Sequence, residues 1–511
     1  MIQTNAGMNF STFGLSSGLN LNYSTDESGL RQNMNTISYN VSWRWINLQA
    51  GDMNTRFSEY GLNGATVRGG YIRLNPGDFL LELVGGRSRR AVRPSFETGF
   101  REPSFEQWAY GGKIGYGNTS SSFFHLSSFY ALDNRTSIEG TNLEITPNEN
   151  LTVTPEFQLQ FFNGKATIGS DFTASIFTRD LNSSVVPIGQ LPIPDIFGSV
   201  YSPRVSSKIN YAGNVNASFV LDMLSMSMDY ERIQPGYRSL GSGRTRDDQE
   251  KIGLSPTIRL LDNRLSIGTS YSFSKDNLLG NRVQTQRNTN AGTNIQYSIS
   301  EFISINTNYN LLYNSIKPEE TSEELTATSQ TQISHNVMLQ PVFTIRRDQT
   351  THNISVSVGY MSIESKFEAS DNFPQENMLS ESITSGLNYS LNLPTGLSFN
   401  SSANYLTNQS NEMDMNNFGL NFGGSYSFFD RKLSLNANVG VNRNNRKRES
   451  TGGELISSRV QQVTGSVNSS YSLTDKDTFN LTLRTRGNSI MEGEGREFSE
   501  LEGSFRYQRR F

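Results

Sequence analysis

The sequence predicts an all-β protein: a transmembrane, antiparallel, up-and-down β-barrel of about 24–26 strands, with short periplasmic turns and long extracellular loops. Three observations predict it. Apolar and polar residues alternate with period two along most of the chain, and no comparable run has helical spacing. Short turns rich in Gly, Pro, Asn and Asp join the alternating segments in pairs. Aromatic residues gather at two levels along those segments.

Composition narrows the alternatives. The 511 residues carry 44 Lys+Arg against 48 Asp+Glu, are 35% hydrophobic and 11% aromatic, and contain no Cys. A disordered chain would pair low hydrophobicity with few aromatics and a high net charge. No basic surplus marks a nucleic-acid binder, so no nucleic-acid partner is expected. Without Cys there is no disulfide framework, thiolate nucleophile or Cys-ligated metal. The three histidines, His125, His335 and His352, lie far apart in sequence. No metal, cofactor or catalytic site is therefore expected, and the chain is not read as an enzyme. No run of about 18 apolar residues is present, which excludes a transmembrane helix but not a barrel strand. The opening MIQTNAGMNF lacks a basic segment followed by an apolar one, so no signal peptide is read there.

The alternation is plainest at Leu433 to Asn442. Leu433, Leu435, Ala437, Val439 and Val441 share one face, and Ser434, Asn436, Asn438, Gly440 and Asn442 share the other. The preceding segment sets Phe418, Leu420, Phe422, Tyr426 and Phe428 against Asn417, Gly419, Asn421, Gly423, Ser425 and Ser427. Segments beginning at Ile209, Leu265, Ile303 and Ile383 repeat the pattern. Turns are read at Asn75–Asp78, Asn163–Lys165, Leu221–Asp222, Asp262–Arg264, Ser300–Glu301, Pro394–Gly396, Asp430–Lys432 and Thr474–Asp477. The opposite connections read as longer and more charged: Lys275 to Arg287, Ser315 to Leu325, Ser365 to Asn377 and Arg443 to Glu454.

One aromatic level flanks the short turns: Phe123, Phe124, Phe161, Phe162, Phe428, Phe429 and Tyr471. A second lies further along, at Tyr230, Phe273, Tyr313, Tyr360 and Tyr405. Two girdles bracketing an apolar band are what the two interfaces of a bilayer select. Ordinary cross-strand aromatic pairing in a soluble sheet is the competing account. A spanning strand with its share of connections costs roughly 20 residues, so the length holds about 25 strands. An even number, 24 or 26, is favoured for a single-chain bacterial barrel. The whole chain, 1–511, is then one barrel domain.

The C-terminal LEGSFRYQRRF alternates Leu501, Phe505, Tyr507 and Phe511 with polar residues. It resembles the terminal strand of bacterial outer-membrane proteins. That resemblance implies that Phe505, Tyr507 and Phe511 form a signal for the barrel-assembly machinery. Arg509 departs from the pattern at a position that is usually apolar. Two further segments, GDMNTRFSEYGLNGATVRGGYIRL from Gly51 and YERIQPGYRSLG from Tyr230, resemble large, poorly characterised outer-membrane barrels of Bacteroidota. They imply the fold and a location in the bacterial cell outer membrane, and bring no functional residues with them.

Several constellations stand out from the repeat. Arg87, Arg89, Arg90 and Arg93 form a candidate rim cation cluster, read either as a constriction or lipid-phosphate anchor, or as a solvated loop base. Arg443, Arg446, Lys447 and Arg448 form a similar patch with lipopolysaccharide contact as its functional reading. Glu319, Glu320, Glu323 and Glu324 read as a solvated acidic loop. The glycine pairs Gly69-Gly70, Gly85-Gly86, Gly111-Gly112 and Gly423-Gly424 read as sites of bend or bulge. The segment Val185 to Gly198 is apolar and holds three prolines. Its Val186, Pro187, Ile188, Leu191, Pro192, Ile193, Pro194, Ile196 and Phe197 make a candidate plug or partner loop.

An inner face of Ser, Asn, Thr, Gly and Gln suits a water-filled lumen. An open barrel of this size would breach the permeability barrier, so occlusion is expected, by folded-in loops, a plug protein or a secreted substrate. The expected function is a large, normally occluded conduit for a bulky solute or polypeptide. The expected partners are outer-membrane lipid and lipopolysaccharide, the barrel-assembly machinery, and a plug protein or lipoprotein. The alternative is a structural anchor for a surface assembly or adhesin, without transport. A soluble β-solenoid would need a constant repeat, which is absent.

Overall fold

The computed structural model describes residues 3–25, 32, 35–93, 103–138, 145–187, 201–243, 247–319, 329–368, 376–411, 413–429, 432–449, 455–474, 476–493 and 496–509. Among the described residues the regular structure is entirely β, in 25 strands. The first eleven are β1 (Gln3–Thr12), β2 (Leu15–Ser24), β3 (Thr36–Trp43), β4 (Ile46–Arg56), β5 (Asn63–Leu74), β6 (Phe79–Arg89), β7 (Gln107–Gly117), β8 (Phe123–Asp133), β9 (Glu149–Phe161), β10 (Ala166–Thr178) and β11 (Ser207–Val220). Next come β12 (Leu224–Ile233), β13 (Gln249–Leu260), β14 (Leu265–Asp276), β15 (Gln284–Ser298), β16 (Ile303–Pro318), β17 (Ser329–Arg347) and β18 (Thr350–Glu368). The last are β19 (Met378–Asn392), β20 (Ser398–Ser410), β21 (Met413–Phe428), β22 (Leu433–Glu449), β23 (Leu455–Ser472), β24 (Asp477–Glu492) and β25 (Phe498–Arg509).

The chain divides into two compact units. In the first, β1 to β11 pair antiparallel, each with its sequence neighbour. In the second, β15 to β25 do the same. Strands β12, β13 and β14 are shared between the units. The total of 25 falls inside the expected 24–26 but is odd, so neither 24 nor 26 is met. The parity rule belongs to closed barrels, and the described pairings are open runs.

The alternation in sequence becomes two chemically opposite faces. On β7, Trp108, Tyr110, Ile114 and Tyr116 are exposed, Tyr116 by 68%, whereas Ala109 and Lys113 on the other face are buried. On β8, Phe124 and Leu126 are exposed while His125, Ser127, Phe129 and Ala131 are buried. In this unit the buried face is the more polar one, the reverse of a soluble sandwich.

Turn chemistry agrees with strand placement. Asn75 to Asp78 link β5 to β6, with Gly77 at φ 65. Phe162, Asn163 and Gly164 between β9 and β10 all have positive φ. Two-residue turns at Phe13-Gly14 and Asp348-Gln349 also place both residues at positive φ.

The strands run further than the sequence implied. Lys275 and Asp276 close β14, Ser315 to Pro318 close β16, Ser365 to Glu368 close β18, and Arg443 to Glu449 complete β22. Apart from Ile316, Pro318 and Phe367 these residues are charged or polar, which reads as loop, yet backbone pairing continues through β16, β18 and β22. Strands β17 and β18 reach 19 residues each, or about 60 Å at the usual rise. A membrane-spanning strand takes only about 9–11 residues.

Candidate functional site

The candidate site is a plug-like insertion on the polar face of the first unit. It is made by two segments, Phe57–Leu62 between β4 and β5, and Gln234–Gly241 after β12. Both lie inside the two stretches that resemble large outer-membrane barrels, although their alternation alone did not mark them as a plug.

Phe57 and Leu62 enter the apolar cluster of Met53, Val67, Val84, Ala109, Phe129 and Ala131. The seat of the Phe57 ring is Gly111. A Cβ there would lie 2.8 Å from Phe57 Cε2, so only a residue without one leaves room. Gly111 thus does more than permit a bend. Tyr60 packs with Ala212, Ile233 and Tyr237 in a second cluster. The Tyr60 and Tyr237 rings meet edge to face at 6.5 Å and 86°.

Polar contacts fix the plug to the strands. Lys113 Nζ donates to the Phe57 carbonyl at 2.7 Å. The Glu59 amide donates to Asp171 Oδ2 at 2.9 Å. Ser58 Oγ donates to Thr154 Oγ1 at 3.3 Å, and Asn214 Nδ2 to Glu59 Oε2 at 3.0 Å. The Tyr60 hydroxyl donates to Glu231 Oε1 at 3.0 Å. The second segment locks onto the first: Tyr237 Oη donates to the Tyr60 carbonyl at 2.9 Å and Ser239 Oγ to the Gly61 carbonyl at 2.6 Å. Its Leu240 amide donates to Asn150 Oδ1 on β9 at 3.0 Å. Burial raises the pKa of the Tyr60 and Tyr237 phenols, more than any neighbouring charge does. Both therefore stay protonated and remain donors.

Behind the plug, Lys113 Nζ is also 2.7 Å from Glu156 Oε2. His125 Nδ1 lies 3.7 Å from the same oxygen, too far for a hydrogen bond, and the ring stacks on Phe123 at 4.4 Å. Glu82, also buried, accepts from Tyr71 Oη at 2.7 Å and lies 3.5 Å from Arg73 Nε.

Of the residues singled out in sequence, Val186 and Pro187 are described, with the Val186 amide donating to the Pro203 carbonyl at 2.9 Å. Ile188, Leu191, Pro192, Ile193, Pro194, Ile196 and Phe197 lie outside the described residues. The four arginines have different immediate surroundings. Arg87 faces out beside Trp108, whereas Arg89, past a register shift, lies 3.7 Å from buried Asp133. The Arg90 backbone bonds Gln32, and Arg93 is exposed. Phe124, Phe161, Phe162, Phe428, Phe429 and Tyr471 are exposed, while Phe123 turns toward His125. On β25, Phe505 and Tyr507 are exposed and flank Phe479 at 6.1 and 5.0 Å. Arg509, the departure from pattern, lies 3.7 Å from Asp477, and Phe511 is outside the described residues. Glu319 accepts from Thr285 Oγ1; Glu320, Glu323 and Glu324 are outside the described residues.

No family model and no curated relative matches the chain. Among solved structures, the FrpB iron transporter from Neisseria meningitidis is 10% identical with a TM-score of 0.37, over 88% of this chain and 68% of that one. OccAB4 from Acinetobacter baumannii is 14% identical with a TM-score of 0.31, over 80% of this chain and 98% of that one. The P pilus usher PapC translocation pore is 10% identical with a TM-score of 0.23, over 99% of this chain and 94% of that one. Scores this low carry no conclusion about this chain.

Proposed function

We propose that this chain is a bacterial outer-membrane β-barrel forming a large, normally occluded conduit for a bulky solute or polypeptide. The observation that carries the proposal is the pairing of an exposed apolar face with a polar face on which the chain's own segments pack. Leaving a large apolar side chain half exposed to water forfeits about 1 kcal/mol each. Strand after strand does so here, with Trp108, Tyr110, Ile114, Leu387, Phe422 and Val439 all exposed. Lipid is the solvent that makes such a wall stable, and hydrogen-bonded strands are one of the two backbone forms that cross it. A barrel of more than 22 strands encloses a lumen wide enough to need a stopper, and Phe57–Leu62 with Gln234–Gly241 supplies a stopper within the chain. Outer-membrane lipid, the barrel-assembly machinery and a lipoprotein partner complete the reading.

Single-channel conductance of the detergent-folded protein tests it. The wild type stays closed or flickers, and replacing Phe57–Leu62 by a short Gly-Ser linker opens a large pore. A barrel that inserts and stays closed in both forms overturns the conduit in favour of the surface-anchor reading. A protein that stays soluble without detergent overturns the membrane assignment itself.

A further inference from the structure

Resting on the membrane reading above, we propose that the apolar face of β21–β24 carries a binding site for one phosphorylated acyl lipid. Two independent features coincide there. The first is a groove of about 390 Å³. Gly424, Ala437 and Gly465 form its floor, and Phe422, Val467 and Leu501 stand among its walls. Register brings the floor together: Gly424 opposes Ala437, and Gly465 opposes Val439. Small residues on three successive strands interrupt a wall otherwise made of Phe, Val and Leu, and leave a channel for a hydrocarbon chain.

The second feature is a cation triad on the same face of the same strands. Arg443, Asn445 and Lys447 continue the alternation of Ala437, Val439 and Val441 on β22. Arg459 on β23 opposes Asn445, which sets it diagonal to both Arg443 and Lys447, about 7–8 Å from each. Arg459 Nε donates to Asn445 Oδ1 at 3.1 Å, and Arg443 Nη2 to Gln461 Oε1 at 3.4 Å. Carboxylates stand on the far sides. Glu492 is 3.7 Å from Arg459 Nη2, and Asp414 opposes Lys447. Arg443 is held by a neutral amide and keeps its charge for an external anion. Guanidinium forks match phosphate oxygens better than ammonium groups do.

The spacing joins the two features. Val439 to Arg443 is four residues, about 13 Å along a strand. A phosphate held between Arg443 and Arg459 therefore places an attached acyl chain over the groove. The cations also sit where the apolar band ends, the level at which a bilayer presents its headgroups. Groove and triad together select a lipid that is both anionic and acylated.

The test titrates delipidated protein in detergent with three probes: lipid A, dephosphorylated lipid A and inorganic phosphate. Lipid A binds, the dephosphorylated form binds about tenfold more weakly, as expected for one lost charge-assisted contact, and inorganic phosphate does not compete. Arg443→Ala with Arg459→Ala removes the preference for phosphate, while Ala437→Trp, which fills the groove, weakens both lipids. Both variants alter exposed side chains, and their heat-modifiable gel shift confirms folding. Equal affinity of wild type and the arginine variant for lipid A overturns the site, as does competition by inorganic phosphate. Detergent dependence of the wild type is read separately, so a failed site and a failed membrane assignment are distinguishable.

Discussion

The Tyr237 hydroxyl donates to the Tyr60 carbonyl at 2.9 Å, tying together two segments 177 residues apart. Both residues are buried, so this bond has no water to replace it. Tyr237→Phe removes the donor, keeps the edge-to-face ring contact and leaves a buried carbonyl unpaired. The expected cost is about 1–3 kcal/mol, confined to the plug. Open events in single-channel records should rise roughly tenfold or more by that energy, with unchanged far-ultraviolet circular dichroism. Unchanged channel records would show that the two segments are not held by this bond.

Lys113 serves two acceptors, the Phe57 carbonyl and the Glu156 carboxylate, each at 2.7 Å. Lys113→Met strands half-buried Glu156 as a charge without its cation, at a cost of about 1–3 kcal/mol. Adding Glu156→Gln removes that charge and should recover much of the loss. Thermal melting of the single and double variants measures the coupling. Additive losses would mean that the pair contributes nothing as a pair.

Gly111 is the seat of the Phe57 ring. Gly111→Val places a Cβ 2.8 Å from Phe57 Cε2 and 3.1 Å from Val84 Cγ1. Overpacking of this kind costs about 1–3 kcal/mol, and ejecting Phe57 from its cluster relieves it. The expected result is a leaky channel, together with new protease cleavage near Phe57. Gly112→Val, whose side chain would face the opposite way beside Leu83, should leave conductance unchanged.

The strands were legible because period two is a local property: Leu433 to Val441 declares its two faces without reference to any neighbour. The plug was not. Phe57, Tyr60 and Leu62 are ordinary apolar residues in sequence, and only the pairing of β4 through β11 brings Asn214 and Asp171 to meet them, with Tyr237 arriving on the segment after β12. The apolar, proline-bearing segment after Val185 stands out in sequence by composition alone, and beyond Pro187 it lies outside the described residues. Strand ends were also hidden. Arg443 to Glu449 read as loop since charge on both faces breaks alternation, while the ladder to β23 continues through them.

Leu387 and Asn388 are neighbours on β19, both exposed and pointing to opposite faces. In water, replacing either by Arg is close to neutral, as surface substitutions usually are. In a bilayer the two positions differ sharply. Leu387→Arg puts a guanidinium against hydrocarbon, at a cost of about 2–4 kcal/mol near the midplane, whereas a lumen-facing position tolerates the charge. The two single variants, refolded into lipid vesicles and unfolded with guanidinium, should therefore separate by at least 2 kcal/mol, with Leu387→Arg the weaker. The same pair in detergent-free buffer provides the opposite limit. Equal stability of the two variants in lipid would mean that the face carrying Leu387 does not meet hydrocarbon, and the barrel assignment would fall with it.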